Sequence, residues 1–147
     1  QEAGILILDA RDDDQTGIIG AAYYDETDRE NPALCKLGYP NGDEKGNVSH
    51  GFLADRYILA PASQRTVAEE YVYGKCQYAY TGAGGLSWAI PYAAGVLALG
   101  WQVNPQLTKE EIVALLHESA RLNAQGHRVI DPVAFVDLVK RTLDEAS

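Results

Sequence analysis

The sequence predicts an α/β domain in which helices pack on a sheet, and three observations predict it. Gly4-Ile5-Leu6-Ile7-Leu8-Asp9 is a continuous apolar run with a polar end, the pattern of a central parallel strand. Thr108-Lys109-Glu110-Glu111 and Asp131-Pro132 are helix-start signals, each followed by helical spacing of apolar residues. Strand-like and helix-like segments also follow one another along the chain, the order of an α/β layer architecture. At 147 residues and 46% apolar composition, the chain reads as one globular unit, residues 1–147, with no internal repeat.

In chain order, residues 1–3 read as the tail of a helix and residues 4–9 as the buried strand. Residues 17–24 form a second short strand. Residues 25–56 contain Pro32, Gly38, Pro40, Asn41-Gly42 and Gly46, and read as a long irregular loop, which in a compact domain is functional or disordered. Arg56-Tyr57-Ile58-Leu59-Ala60-Pro61 is a strand stopped by proline. Tyr71-Val72-Tyr73 and Gln77-Tyr78-Ala79-Tyr80 flank Gly74-Lys75 as a hairpin. A glycine-rich turn over 81–85 leads into a helix from Ser87 to about Trp101. Small and apolar residues on all its sides predict that it is buried. Asn104-Pro105 ends it. In the capping box the Thr108 hydroxyl and Glu111 carboxylate satisfy orphan amides, and Ile112, Leu115, Leu116 and Ser119 share one face of the helix that follows. His127-Arg128-Val129-Ile130 is a short strand. Asp131 caps the last helix, with Val136, Val139 and Leu143 as its apolar stripe.

The net charge of −9 argues against nucleic acid as a partner, because an acidic surface repels phosphates. Much of the acid sits in Asp12-Asp13-Asp14 and Asp25-Glu26-Thr27-Asp28-Arg29-Glu30. These runs read either as solvated loop or as a calcium site, since hard cations want clustered carboxylates; no EF-hand spacing supports the second. No other cofactor is indicated. The longest apolar stretch, residues 88–101, is broken by Pro91, Gly95 and Gly100 and falls short of a membrane span. Cys35 and Cys76 either pair or are both free, and no zinc-ligand spacing occurs. The chain starts at Gln1 and contains no Met, as expected for an N-terminus made by truncation or cleavage.

The most informative stretch is Tyr80-Thr81-Gly82-Ala83-Gly84-Gly85-Leu86-Ser87-Trp88-Ala89-Ile90-Pro91-Tyr92-Ala93-Ala94-Gly95. It places a serine between a glycine turn and the first turn of a helix. Amides at a helix start lack intrahelical acceptors and carry partial positive charge, so a nucleophile there shares them with a developing oxyanion. Serine is also a good N-cap, and local chemistry leaves both roles open.

This stretch resembles the serine motif of the subtilisin-like serine proteases (subtilases), Gly-Thr-Ser-Met-Ala-Ser-Pro-His-Val-Ala-Gly. Gly85, Ser87, Ala89, Pro91, Ala94 and Gly95 match in register; Leu86, Trp88, Ile90, Tyr92 and Ala93 depart from it. Leu59-Ala60-Pro61 resembles the family's Met-Ala-Pro strand end. Asn104-Pro105-Gln106-Leu107-Thr108 resembles its Asn-Pro-x-x-Thr link. Gly126 to Asp131, followed by Ala134, resembles its closing strand and last helix, and Gly4 to Leu8 resembles the strand before its oxyanion asparagine. The resemblance spans nearly the whole chain, closest over 80–108 and loosest over 24–56.

The resemblance implies the C-terminal portion of a subtilisin-like catalytic domain, a parallel sheet with helices on both faces. It implies a serine endopeptidase that cleaves peptide or protein substrates by acyl transfer through Ser87. Its oxyanion would be held by the Ser87 amide and a donor near Asp13, where the family has asparagine. A charged carboxylate cannot donate a hydrogen bond, so either another donor such as Gln15 takes its place or oxyanion binding is weakened. Gly84 and Gly85 border the cleft. The family's catalytic Asp and His precede this region, so the upstream part of the same polypeptide is the implied partner, and the chain by itself should be inactive. Asp13 also favours a second reading, a non-catalytic subtilase-like module that binds or regulates a partner. A third reading, a self-contained hydrolase, needs His127 within about 3 Å of Ser87; an α/β-hydrolase elbow would further need glycine where Ala89 stands. Of the other histidines, His117 is expected to be exposed on its helix, and His50 lies in the long loop. Tyr71, Tyr73, Tyr78 and Tyr80 read as hairpin packing or as a cleft lining.

Overall fold

A computed structural model describes residues 5–8, 19–29, 31–38, 57–81 and 84–145. Its elements in chain order are β1 (Ile19–Tyr23), a 3-10 turn (Pro32–Leu34), β2 (Lys36–Gly38), β3 (Ile58–Pro61), β4 (Arg65–Val72), β5 (Lys75–Thr81), α1 (Leu86–Val103), α2 (Lys109–Glu118), β6 (Arg121–Leu122), β7 (Arg128–Val129) and α3 (Pro132–Glu145). The α/β class expected from the sequence is therefore present.

Five strands form one sheet in the order β2-β1-β3-β7-β6. Its centre is parallel: Ile19 to Ala22 pair with Ile58 to Pro61, and Ile58 and Leu59 pair with Arg128 and Val129. The edges are antiparallel, β2 on β1 and β6 on β7, so the sheet is mixed rather than wholly parallel. Pro61 closes β3 because it has no amide to continue a ladder.

Strand pleating sorts the side chains into two layers. Ile19 and Ala21 of β1 and Ile58 and Ala60 of β3 face the main core. There they meet Ala89, Ala93, Val96 and Leu97 of α1, Ile112 and Leu116 of α2, and Phe135 and Val139 of α3. The opposite face carries a smaller cluster of Ala22, Leu59, Val129 and Cys35. Among the described residues all three helices thus lie on one face of the sheet. On the second face the described cover is the segment around the 3-10 turn, and the helices that the resemblance implies there are not among the described residues.

Residues 5–8 run outside any ladder among the described residues. Leu6 and Leu8 pack against the main core, whereas Ile5 is 62% and Ile7 58% exposed. The segment buries one side only, not both as its unbroken apolar run implied. The long loop is partly ordered: Asn31 Oδ1 accepts from the Ala33 amide to start the 3-10 turn, and β2 follows. Residues 39–56 lie outside the described residues.

The expected hairpin is β4–β5, a separate two-stranded sheet turning at Tyr73-Gly74, with a register shift between Glu70 and Val72. Its tyrosines do not pack on one another. Tyr78 opposes Ala68, Tyr80 opposes Thr66, and Tyr73, Tyr78 and Tyr80 are all exposed.

Helix α1 is buried on one face rather than all round. Ala89, Ala93, Val96, Leu97 and Gly100 form the buried stripe at helical spacing, while Trp88, Tyr92 and Leu99 are exposed. At 18 residues, about 27 Å, α1 reaches by length and composition the lower limit of a membrane span, contrary to the reading of residues 88–101. Core helices meet the same limit, and α1 packs on β1, β3, α2 and α3. Gly100 admits the Phe135 ring: a Cβ on Gly100 would lie 2.6 Å from Phe135 Cζ. Asn104 ends α1, donates to Thr142 Oγ1 on α3 at 2.8 Å and accepts from the Gln106 amide.

The capping box at α2 forms as its residues predict, with the Thr108 hydroxyl accepting from the Glu111 amide and the Glu111 carboxylate accepting from the Thr108 amide. Asp131 begins α3, its Oδ1 accepting from the Val133 and Ala134 amides. The buried residues of α3 include Phe135 and Val139; Leu143, expected in the stripe, is 42% exposed. Buried Asn123 ties the β6–β7 turn to the 3-10 segment, donating to the Cys35 carbonyl and accepting from the Gln125 and His127 amides.

Candidate active site

The three parallel strands deliver their C-terminal ends to one edge of the sheet. Tyr24 follows β1, Ala62 and Ser63 follow β3, and Ile130 and Asp131 follow β7. In open α/β sheets this edge is where ligands bind. Helix α1 begins at the same edge because of Gly84. A Cβ on Gly84 would lie 2.5 Å from the Ala62 carbonyl oxygen and 2.9 Å from Tyr23 Cε1, so only glycine lets the turn settle onto the ends of β1 and β3.

Gly85 is the N-cap of α1, without a side-chain cap, and Ser87 is the second helical residue. Serine as N-cap, the bland role open at the level of sequence, is thereby corrected. Ser87 is exposed, its hydroxyl at the rim of the edge. The amides of Leu86 and Ser87, in the first turn, have no acceptor within the helix, whereas the Trp88 and Ala89 amides reach the Gly85 carbonyl. Pro91, four residues on, has no amide, so the Ser87 carbonyl also lacks its helical donor. The first turn of α1 is therefore rich in unsatisfied backbone groups around one exposed hydroxyl. Its amides suit an oxyanion; the hydroxyl is a weak nucleophile until a base takes its proton.

Three consecutive residues after β3 fan out along this edge. Ser63 Oγ accepts from the Tyr24 amide at 3.1 Å. Gln64, in a left-handed conformation at φ 53°, accepts from the Tyr80 hydroxyl through Oε1. Arg65 has neither kind of partner among the described residues. Its Nε and both Nη atoms are buried without a hydrogen bond, and its guanidinium lies over the Trp88 ring at 4.5 Å. Burial lowers the Arg65 pKa, with nearby Tyr23 working the other way, but a guanidinium stays charged.

A cavity of about 300 Å³ opens along the same edge, lined by Tyr24, Arg29, Ser63, Gln64, Tyr92 and Asp131 among others. Arg29 stacks on the Tyr80 ring at 4.8 Å, so the hairpin borders this cavity. Tyr92, at the position where the resembling motif has histidine, has its pKa raised by burial and then by Asp131. Burial alone would raise the Asp131 pKa as well, but the Ala134 amide, Arg121 and the Val133 amide outweigh it and hold the carboxyl below its ordinary value.

Of the site residues expected from sequence, Ser87, Gly84 and Gly85 occupy one turn at this edge. Asp13, Gln15 and His50 lie outside the described residues, as do Gly82 and Ala83. His127 stands at the opposite end of the sheet. It precedes Arg128, which pairs with Ile58, whereas Gly84 meets Ala62, four strand residues or about 13 Å further on. A self-contained serine–histidine pair through His127 is therefore ruled out. His117 is half-buried rather than exposed, and its pKa is lowered by burial and by Arg128.

No group of three or more His, Cys, Asp or Glu among the described residues is placed to hold a metal ion. Asp25 accepts from Thr27, and Asp28 from Asn31, so those two carboxylates shape the local turn; Asp12 to Asp14 lie outside the described residues. Cys35 is free and buried, and Cys76 is free and exposed. Sequence reasoning missed the Arg65–Trp88 stack. Arg65 opens a strand of alternating polarity, where an arginine reads as solvent-facing, and no local motif marks a contact spanning 23 positions. Comparison with models of known protein families finds no match, and comparison with curated proteins finds none either.

Proposed function

We propose that this chain is the serine-bearing portion of a subtilisin-like endopeptidase, with Ser87 as nucleophile. The observation that carries the reading is Ser87 in the first turn of α1, exposed at the C-terminal edge of the parallel strands and held there by Gly84 against Ala62. Ser87 Oγ attacks the scissile carbonyl, and a histidine from the preceding part of the polypeptide takes its proton, oriented by an aspartate from the same part. The oxyanion receives the Ser87 amide and a donor from the region of Asp13 to Gln15. Collapse transfers the proton to the leaving amine and leaves an acyl-serine, which water hydrolyses by the same route in reverse. The exposed Leu99 of α1, and Ile5 and Ile7, are apolar side chains of the kind such a preceding part would cover.

The test is hydrolysis of an unstructured protein substrate by the full-length gene product. The reading predicts proteolysis that Ser87→Ala lowers by about 10⁴-fold or more, and no proteolysis by residues 1–147 alone. The second reading is a non-catalytic module of the same fold class. Asp13 in place of an amide donor favours it. A folded full-length product that binds peptide without cleaving it would select that reading.

A further inference from the structure

The guanidinium of Arg65 is the feature of this edge that the proposed chemistry leaves unused. Of the three residues leaving β3, Ser63 and Gln64 have their polar atoms engaged within the protein, and Arg65 does not. All three of its nitrogens are buried and without a hydrogen bond, with the Trp88 ring 4.5 Å from its central carbon. A guanidinium carries five donors in a plane that matches a carboxylate two-point. Among the described residues no acceptor answers this fork, which leaves it as the positive half of an ion pair. Two further facts tie this fork to the helix turn that carries Ser87. Trp88 is the chain neighbour of Ser87, their α-carbons about 3.8 Å apart, and the first turn of α1 adds its own partial positive charge and open amides.

We propose that Arg65, stacked on Trp88, is a carboxylate-binding subsite, and that the carboxylate is an acidic side chain of the peptide substrate close to the bond Ser87 attacks. This substrate class rests on the protease reading; the subsite itself does not. Arg65 as a whole is only partly buried and Trp88 is 42% exposed, so the stacked pair lies at the protein surface. The protein's net charge of −9 repels anions at large, so an acidic peptide is retained where the charge is locally reversed.

The test measures peptide binding to the full-length gene product by calorimetry, with the Trp88 indole and Arg65 side-chain signals followed by NMR. The probes are acetyl-Ala-Ala-Glu amide, its Gln isostere, and acetyl-Ala-Ala-Ala as the free acid. The Glu peptide is expected to bind at least tenfold more tightly than the Gln peptide and to shift both signals. Arg65→Gln abolishes the preference, Arg65→Lys keeps part of it, and Ser87→Ala leaves it intact. Because it removes an unpaired buried charge, Arg65→Met is expected to raise Tm, so loss of binding in that variant is not loss of fold. Equal binding of the Glu and Gln peptides, or a preference that survives Arg65→Gln, overturns the subsite. Tighter binding of the free acid than of the Glu amide assigns the site to a chain terminus and overturns the substrate class. A Ser87 that never cleaves, together with an intact Glu preference, sinks the protease reading and leaves the subsite standing.

Discussion

Gly84 decides where Ser87 stands. Its α-carbon sits so close to β3 that a methyl group would meet the Ala62 carbonyl at 2.5 Å, and backbone cannot swing aside as a long side chain can. Gly84→Ala should therefore destabilise the protein by about 1–3 kcal/mol and shift the start of α1. A urea titration beside a Ser87 labelling rate would show both losses; a variant of unchanged stability and reactivity would mean the turn is not held by that contact. At this scale the sequence was informative where chemistry is local and silent where it is not. The glycine turn and the serine were visible as a motif, but serine is the better N-cap by residue type, and it is Gly85 that takes that place. Arg65 was invisible as a site residue, because its partner ring lies across the hairpin and its burial depends on tertiary packing. Asp13 and Gln15 are known from sequence alone.

Among the elements, helices α2 and α3 were the most legible, since a capping box and an Asp-Pro start are written within four residues. The start of α3 carries a pH-dependent contribution. Asp131 is buried, which raises its pKa, but the Ala134 and Val133 amides and the Arg121 ion pair reverse the direction. A carboxyl held below its unfolded value of about 3.9 stabilises the fold fully above that pH. It loses that contribution as pH falls through the lower native value. Asn also caps helices but cannot ionise, so Asp131→Asn isolates the charge. Wild type should exceed the variant in urea midpoint at pH 7, and the gap should narrow between pH 4 and pH 2. A gap independent of pH would show that the charge contributes nothing. Helix α1 was legible in extent but not in burial: apolar residues surround it, while the sheet and the other two helices cover only the Ala89–Ala93–Val96–Leu97 side. The strand over residues 4–9 failed for the same reason, since an unbroken apolar run expects neighbours on both sides and residues 5–8 have them on one.

For the whole molecule, one sheet carries three helices on a single face, and its parallel strands end where α1 begins. The α/β class followed from the order of elements; the one-sided layering did not, because sequence periodicity says that a face is apolar and not which surface covers it. The exposed Leu99 of α1, and Ile5 and Ile7, are apolar side chains of the kind a further part of the polypeptide would cover, and the proposed catalytic base belongs to that part. Everything in the functional account then turns on whether Ser87 becomes a nucleophile in the full-length protein. The most direct measurement is intact-mass analysis of the full-length gene product after treatment with a fluorophosphonate, beside a Ser87→Ala control. The account predicts a single covalent adduct that maps to Ser87 and is absent from the control. A folded, unlabelled protein would contradict it and leave Ser87 as an exposed residue in the first turn of a structural helix.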